Sequence, residues 1–341
     1  MSKINFVVVG AGYIGKRHAD MILENPDSNL VGFVDIRTEK ECGVEKYNVP
    51  FFRSMDDLFK SDLEFDVVNI CTPNWLHSKQ SIISLNNDKH VVIEKPMGLH
   101  SIESEMVIYK ALQKQKNVFC VMQNRYSPPS VWIKDVIEKK LMGEIYLVQL
   151  NCFWNRDERY YKTDGWKGKS LYDGGTLFTQ FSHFIDIMYW LFGDIKNIQG
   201  KFMDFNHKEL TEFEDTGIVN FDFINGGVGS INYSTAVNNK NLESSITIIG
   251  SLGSVKIGGQ YMNEVVYCDI ENYEMPILPE SNPANDYGHY KGSAQNHNYI
   301  IQNVIDTLNG VGDITTNALD GFKIVDIIER IYEVKNKNFN K

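Results

Sequence analysis

Over the first 122 residues, short apolar runs alternate with segments whose apolar residues recur at helical spacing. The helix-like segments include Tyr13–Leu23, Ser78–Ile83 and Ile102–Lys114. Strand-like runs that alternate with helices predict βαβ units, and therefore a parallel sheet covered on both faces. The apolar runs are Ile4–Val9, Leu30–Val34, Val67–Ile70, Val91–Ile93 and Val118–Val121.

The pattern changes in the second part of the chain. A helix-like segment, Val131–Lys139, leads into a strand-like stretch at 144–154, and residues 173–193 have a helical pattern. Runs of β-forming residues punctuated by Gly and Asn then predict an antiparallel sheet with one face packed on helices. Two closing helices are expected at about Ser293–Leu308 and Leu319–Lys335.

The predicted fold class is therefore α/β with two domains. We expect residues 1–122 to form a doubly wound parallel sheet of the Rossmann type, which binds dinucleotides. We expect residues 123–341 to form a substrate-binding α+β domain with a large, mostly antiparallel sheet. A chain of 341 residues is long enough for each domain to have its own core.

The first predicted strand runs into Gly-Ala-Gly-Tyr-Ile-Gly. Gly10 permits a tight turn, Gly12 lets the backbone approach a pyrophosphate, and Gly15 permits close packing of helix and strand. The start of the helix at Tyr13 and Ile14 supplies N–H groups to an anion. A plain strand–turn–helix corner is the alternative, but strand, helix and a following acidic residue together predict a dinucleotide site.

That acidic residue is Asp35, at the end of the second predicted strand. A carboxylate there accepts hydrogen bonds from the adenosine ribose and repels a 2′-phosphate, so the expected cofactor is NAD rather than NADP. Arg37 lies close enough in sequence to weaken that preference, or is simply a solvated cation.

Two later strands end in polar motifs, Cys71–Asn74 and Glu94–Pro96. Ligands of doubly wound sheets bind beyond the carboxyl ends of the strands, so both motifs are expected to face the cofactor. Pro96 disfavours helical geometry at Lys95 and restricts the direction of its ammonium group. The alternative is an ordinary surface lysine at a strand end.

A narrow polar stripe runs through the otherwise apolar segment 174–193. Thr179, His183 and Asp186 are spaced so that they share one helix face. A lone histidine on an apolar helix is more often a satisfied core residue than a catalyst, and Thr179 or Asp186 could be its hydrogen-bond partner.

Four motifs together resemble the GFO/Idh/MocA family of nicotinamide-dependent sugar oxidoreductases: GAGYIG, CTPNWLH, IEKP and the Gly-Gly–His–Asp helix. They occur in the order that the family has, and the resemblance covers essentially the whole chain. In that family the EKP lysine and the helix histidine flank the substrate carbon beside the nicotinamide. The resemblance implies that Lys95 and His183 are catalytic. Besides the glycine motif and Asp35, it implies cofactor contacts from Thr72, Pro73, Asn74, His77, Glu94, Lys95, Gln123 and Arg125.

The family often has an aspartate four residues before the histidine, where this sequence has Thr179. This chain instead resembles the branch of UDP-N-acetylglucosaminuronate 3-dehydrogenases, which serve bacterial surface-polysaccharide biosynthesis. The stretches that carry this resemblance are QNRYSPP, NCFWNRDERYY, GWKGKSLYDGG and GSAQNHNYIIQNVIDTL. The expected substrate is therefore a nucleotide sugar oxidised at a secondary hydroxyl, C3. The expected substrate contacts are Lys95, Arg156, Tyr160, Trp166, Lys167, Thr179, Gln180, His183, Ser293 and His297.

The net charge of −10 leaves no basic face for nucleic acid, so an anionic sugar must be held by a few local cations. Ser293 near a helix start, with His297 one turn on, could present N–H groups to a pyrophosphate, although an ordinary N-cap explains Ser293 as well. Arginine can grip a carboxylate and aromatic rings can stack on uracil or sugar, although a basic loop with aromatic core anchors is the alternative. The cations and rings are Arg125, Arg156, Arg159, Lys167 and Lys169, with Trp154, Tyr160, Tyr161 and Trp166.

The expected reaction moves one hydride to NAD⁺ and one proton to a base. An imidazole, with a reference pKa of about 6.5, suits the base better than an amine at about 10.4, which favours His183 over Lys95. Lys95 as a cation would stabilise the developing alkoxide. Burial of the lysine could exchange these roles, so the sequence leaves both assignments open.

No stretch approaches the ~18 apolar residues of a membrane span, and the first residues lack the layout of a signal peptide. The five cysteines are scattered and no metal-ligand spacing occurs, which predicts reduced thiols in the cytoplasm and no metal site. Strand-forming residues at 218–234 lead us to expect a homodimer or homotetramer. Three other functions are alternatives to a nucleotide-sugar dehydrogenase. They are a dehydrogenase of free sugars or inositol, an NAD-dependent glycosidase of the same fold, and a nucleotide-sensing module.

Overall fold

The computed structural model describes residues 3–162, 165–288 and 290–339, with side chains as far as residue 335. The chain divides into two compact units. The first contains the residues up to Met122 together with His297–Val325, and the second contains Gln123–Asn296 and the residues from Asp326 onwards. The border expected after residue 122 coincides with a border between units, but residues 297–325 belong to the first unit.

The first unit is built on a six-stranded sheet with helices between its strands. Its strands are β1 (Ile4–Val9), β2 (Ser28–Val34), β3 (Phe51–Phe52), β4 (Val67–Ile70), β5 (His90–Ile93) and β6 (Val118–Cys120). The helices that follow β1 to β5 are α1 (Tyr13–Glu24), α2 (Glu39–Cys42), α3 (Met55–Lys60), α4 (His77–Asn86) and α5 (Ser101–Lys114).

Every pairing in this sheet is parallel, and the strand order is β3-β2-β1-β4-β5-β6. This is the predicted doubly wound Rossmann sheet, with its switch point between β1 and β4. β4 is buried along its whole length, which explains why its sequence is continuously apolar apart from Asn69. The carboxyl ends of β1, β4 and β5 therefore lie side by side.

The second unit contains a seven-stranded sheet and a small two-stranded one. The strands of the large sheet are β7 (Ile145–Phe153), β8 (Ile195–Met203), β9 (Thr216–Phe223), β10 (Val228–Ser234), β11 (Glu243–Gly250), β12 (Gly253–Gly258) and β13 (Glu264–Ile270). The small sheet pairs β14 (Ala284–Asp286) with β15 (Lys291–Ala294). The helices are α6 (Pro128–Glu138), α7 (Glu158–Tyr161), α8 (Ser170–Asp173) and α9 (Ser182–Phe192).

The large sheet has the order β13-β12-β11-β7-β10-β9-β8, and only its β7–β10 pairing is parallel. Burial alternates along its strands: in β9, Val219 and Phe221 are buried, whereas Ile218 and Asn220 are exposed. α9 packs against β7, on the buried side. The predicted mostly antiparallel sheet with one packed face is confirmed.

The segment 173–193, expected to be one helix, is divided. Gly174 and Gly175 have positive φ angles of 87° and 129° and end α8. A Cβ on Gly175 would lie 2.5 Å from the hydroxyl of Tyr332, so no larger residue fits there. The chain then forms one π-helical turn, Leu177–Phe181, before α9 begins.

Two helices close the chain, α10 (His297–Leu308) and α11 (Ala318–Phe339). α10 begins later than expected because Ser293 lies in β15, and it packs against α1 in the first unit. The division between the units falls inside α11, after Val325. Within the described part of the chain, no helix has both the length and the apolar character needed to cross a bilayer.

Candidate active site

The glycine loop after β1 has the shape that a pyrophosphate requires. Gly10 has a φ of +95°, and a Cβ there would lie 2.6 Å from the carbonyl oxygen of Cys71. A Cβ on Gly15 would overlap the carbonyl of Gly10, whereas one on Gly12 would meet nothing within 4 Å. Gly10 and Gly15 are thus required by the fold, and the space beside Gly12 is left for a ligand.

The start of α1 is open to an anion. No side chain caps it and its first turn carries no acidic residue, so its N–H groups and positive dipole end favour a phosphate. Tyr13 is largely exposed and Ile14 is half-buried at this end of the helix. The loop and the helix start are therefore compatible with a pyrophosphate, and their contact with NAD stays a prediction.

Asp35 lies at the end of β2 against this loop. Its Oδ2 accepts the backbone N–H of Ala11 at 2.8 Å, and Arg37 contacts both carboxylate oxygens through its Nε at 3.0 Å and its Nη2 at 2.9 Å. Burial raises the pKa of Asp35, but the hydrogen bonds from Arg37 and Ala11 outweigh it and lower the pKa overall. Asp35 is therefore an anion where the ribose acceptor was expected, and Arg37 is its partner.

The loops after β4 and β5 are tied together by His77, the first residue of α4. Its Nε2 lies 2.6 Å from the carbonyl oxygen of Thr72 and its Nδ1 lies 2.7 Å from that of Pro96. Burial lowers its pKa, although both carbonyls favour the protonated ring. Pro73 precedes a 3₁₀ turn over Asn74–Leu76 that leads into α4. His77, expected to contact the cofactor, instead has both ring nitrogens occupied by the protein.

Lys95 follows β5 in a loop fixed on two sides. Its peptide bond to Pro96 is cis, and its N–H donates to Oε2 of Glu94 at 3.1 Å. The Lys95 side chain is half-buried, whereas the Glu94 carboxylate is turned into the first unit, towards His297. Glu94 was expected to contact the cofactor and His297 the substrate. In the structure, their side chains contact each other.

In the second unit, His183 is the second residue of α9 and is only 3% exposed. The π-helical turn directly before it is a feature common at functional sites. Asp186, considered above as a partner of His183, instead accepts two hydrogen bonds from Arg125, at 2.9 Å from Nε and 2.6 Å from Nη2. Arg125, expected at the cofactor, therefore anchors α9 through a buried ion pair.

Thr179 is also engaged within its own unit. Its hydroxyl donates to the backbone carbonyl of Asp173 at 3.0 Å and to the carboxylate of the same residue. Asp173 is fully buried, and its Oδ2 accepts the N–H of Gly168 at 2.7 Å. The family often has an aspartate at the position of Thr179. Here the carboxylate of Asp173, a residue that sequence reasoning did not single out, lies beside Thr179 instead.

Arg156 is a buried cation without a carboxylate partner among the described residues. Its four acceptors are neutral oxygens, which lie on Gln180 (2.7 Å), Asn155 (2.6 Å), Asn241 (3.2 Å) and Lys291 (3.1 Å). Burial lowers the pKa of Arg156, as expected when a charge loses water without gaining a counter-ion.

Aromatic rings surround this guanidinium. Its carbon lies 4.7 Å from the ring centre of Trp154, 5.3 Å from that of Tyr160 and 4.8 Å from that of Tyr290. The ammonium of Lys167 lies 4.4 Å from the Tyr160 ring centre, and Trp166 beside it is half-buried. Arg156, Lys167, Trp154 and Tyr160 of the predicted set therefore lie together, with Tyr290 as an addition that sequence reasoning missed, whereas Arg125 and Arg159 pair with Asp186 and Asp157.

The 3₁₀ turn Gln123–Tyr126 carries two buried amides with unfilled hydrogen bonds. Oε1 of Gln123 and Nδ2 of Asn124 have no partner in the described part of the chain. Ser293 donates to Oδ1 of Asn124 at 2.8 Å, so it supports this turn instead of capping a helix. Asn124, which lies in the QNRYSPP stretch but was not among the expected site residues, is thus a further candidate to contact a ligand.

Two family descriptions match the chain. "Oxidoreductase family, NAD-binding Rossmann fold" of GFO/IDH/MocA matches residues 4–123, and "GFO/IDH/MocA C-terminal domain" matches residues 131–256. The chain belongs to the GFO/IDH/MocA family. It is accordingly an NAD-dependent oxidoreductase, in agreement with the glycine loop and Asp35.

Among solved structures, this family member is similar to the WlbA dehydrogenases of Bordetella pertussis and Chromobacterium violaceum, each determined with NADH and UDP-GlcNAcA. Both are 29% identical in sequence to this chain. The B. pertussis structure covers 98% of this chain and 97% of its own, with a TM-score of 0.86. The C. violaceum structure covers 99% of this chain and 95% of its own, with a TM-score of 0.87. D-glucoside 3-dehydrogenase of Escherichia coli is 22% identical over 97% of this chain and 95% of its own length.

Substitutions at Gly12 and Gly15 form a matched pair. Gly15→Ala should lower the free energy of unfolding by roughly 1–3 kcal/mol, because its methyl group collides with backbone. Gly12→Ala should leave stability unchanged but weaken NADH binding about 10-fold or more, because its methyl group enters the space for the pyrophosphate. Urea unfolding and NADH fluorescence titration measure the two effects. Wild-type NADH affinity in Gly12→Ala would contradict this account of the loop.

Asp186→Asn tests the anchor of α9. Removal of the carboxylate breaks a buried ion pair with the Arg125 guanidinium, which should lower the free energy of unfolding by about 3–5 kcal/mol. Asp157→Asn is the control, since it breaks an ion pair with Arg159 that is open to solvent. Urea unfolding should separate the two variants clearly, and equal stabilities would refute an anchoring role for Asp186.

Proposed function

We propose that this protein oxidises the C3 hydroxyl of UDP-N-acetylglucosaminuronate with NAD⁺, as a step in surface-polysaccharide biosynthesis. The observation that carries the proposal is the full-length similarity, at 29% identity, to two WlbA dehydrogenases determined with NADH and UDP-GlcNAcA. The name of the E. coli D-glucoside 3-dehydrogenase supports oxidation at the third carbon.

The charge distribution of the second unit supports an acidic nucleotide sugar. Such a substrate carries a pyrophosphate and a carboxylate, both of which require cations. Arg156 is a buried guanidinium whose acceptors in the described part of the chain are all neutral, and Lys167 shares its aromatic cluster. A buried cation without a counter-ion is costly, so an anionic ligand near it would be bound more strongly than a neutral sugar.

The proposed catalytic residues are Lys95 and His183. When bound, NAD⁺ accepts the hydride from the sugar carbon. His183 takes the hydroxyl proton, because an imidazole is neutral and basic near pH 7. Lys95 stabilises the negative charge that develops on the oxygen. The loop tied by His77 and the helix anchored by Arg125 hold these two side chains, each in its own unit.

A dehydrogenase of free sugars is the second candidate, because the E. coli relative that matches almost the whole chain acts on D-glucosides by its name. The two candidates differ in whether the substrate bears a phosphate. For a compartment we propose the cytoplasm, since no cysteine in the described residues forms a disulfide.

Lys95→Met and His183→Asn test the proposed function directly. Each should lower kcat for UDP-GlcNAcA about 10²–10⁴-fold, because each removes a group that acts on the reacting oxygen. Lys79→Met and His100→Asn are matched exposed controls and should keep wild-type rates. NADH formation at 340 nm is the measurement.

The same assay with UDP-GlcNAcA, UDP-GlcNAc and free glucosides separates the candidates. Rapid turnover of the acidic UDP-sugar alone is expected, whereas turnover of free glucosides alone would favour the second candidate. Full activity of both Lys95→Met and His183→Asn would refute the catalytic assignment.

We further propose a homodimer or homotetramer that uses the open face of the large sheet. Its side chains there include a row of amides, with Asn232 donating to Asn151 at 3.0 Å, bordered by exposed apolar residues such as Ile218 and Val228. Light scattering after gel filtration should give a mass of at least twice 39.1 kDa. A monomer, or Ile218→Lys and Val228→Lys variants with unchanged mass, would count against this face.

A further inference from the structure

A buried carboxylate in the first unit lies between two buried imidazoles. Oε1 of Glu94 is 3.1 Å from Nε2 of His18 and 3.6 Å from Nε2 of His297. All three side chains are less than a tenth exposed. His18 belongs to α1 and His297 is the first residue of α10, so one carboxylate oxygen joins two helices to the end of β5.

Hydrogen bonds orient the rings of this cluster. Nδ2 of Asn69, on β4, lies 2.9 Å from Nδ1 of His18, which directs Nε2 of the same ring towards Glu94. Burial raises the pKa of Glu94, but the contacts from His18 and His297 outweigh it and hold the pKa well below its usual range. Burial lowers the pKa of His297. Glu94 is thus an anion held by two imidazoles.

The other oxygen of the same carboxylate acts on Lys95. Oε2 accepts the backbone N–H of Lys95 at 3.1 Å, so the carboxylate connects the two imidazoles to the main chain from which the Lys95 side chain extends. A displacement of about 1 Å at a reacting group can cost about 100-fold in rate. A carboxylate fixed from two helices limits such displacement.

We propose that Glu94, held by His18 and His297, is the positioning residue that sets the place of Lys95. The proposal rests on the catalytic role of Lys95 in the proposed function. The two imidazoles share one acceptor oxygen, so each can support Glu94 in part when the other is lost. Loss of both leaves a buried carboxylate that takes up a proton and no longer holds the loop.

Amide substitutions separate the chemistry of the cluster from its packing. In His18→Gln the amide nitrogen can replace Nε2 as the donor to Glu94, whereas His18→Asn is too short to reach it. His18→Gln should therefore keep kcat within about 2-fold, and His18→Asn and His297→Asn should each lower kcat several-fold. The double variant His18→Asn/His297→Asn should lose more than the product of the single losses, because the partners share one oxygen.

Glu94→Gln should lower kcat about 10–100-fold while the KM for NAD⁺ and NADH binding stay within about 2-fold of wild type. Glu103→Gln, on an exposed position of α5, is the matched control. Hydrogen–deuterium exchange of peptides that span residues 93–99 provides a readout without substrate, and exchange should be faster in Glu94→Gln than in the control.

Several outcomes would overturn the positioning role: wild-type kcat in Glu94→Gln, equal losses in His18→Gln and His18→Asn, or stoichiometric zinc in the purified protein, since two imidazoles and a carboxylate can also bind zinc. Failure of the proposed function is distinguishable. In that case Lys95→Met stays active, or no UDP-sugar is oxidised, while the exchange measurement still reports whether Glu94 fixes the loop.

Discussion

The parallel direction of the strands in the first unit is the constraint on which its chemistry depends. Parallel strands bring all their carboxyl ends to one edge, and the order of this sheet makes β1, β4 and β5 neighbours there. The glycine loop, the Thr72 loop and the Lys95 loop are consequently adjacent although they lie far apart in the sequence. A hydrogen-bonded His77 then locks the last two loops at a fixed separation.

Buried charge is handled in three different ways in this protein. Arg125 and Asp186 form a bidentate ion pair, which fixes one helix. Glu94 is held by two imidazoles and a backbone N–H, and these contacts keep its pKa well below the usual range. Among the described residues, Arg156 has only neutral acceptors and aromatic rings around it, which is an environment that an incoming anion improves.

Sequence pattern predicted the architecture and the cofactor because both depend on local spacing. The Gly10–Gly15 motif and Asp35 are read directly from neighbouring positions, and the alternation along β9 reports its buried face. The roles of His18 and Ser293 could not be read this way. Their partners are Glu94 and Asn124, which lie 76 and 169 residues away, and no periodicity links them.

The same limit explains the residues whose contacts differed from expectation. Arg125 and His77 were expected at ligands because of the motifs around them, yet a motif does not reveal whether a side chain faces outwards or is occupied by the protein itself. The π-helical turn was equally hidden, because no pattern in its own residues distinguishes it from the helix that follows.

The chain passes between the two units after Met122, after Asn296 and again inside the continuous helix α11. The Rossmann unit is thus discontinuous in the gene, and its last part returns only at His297. A fragment that ends at Met122 would expose the face of α1 on which α10 packs and would leave Glu94 with one imidazole. Recombination that exchanges substrate units between relatives must therefore keep residues 297–325 with the N-terminal half, or it will combine a carboxylate from one parent with an imidazole-bearing helix from the other.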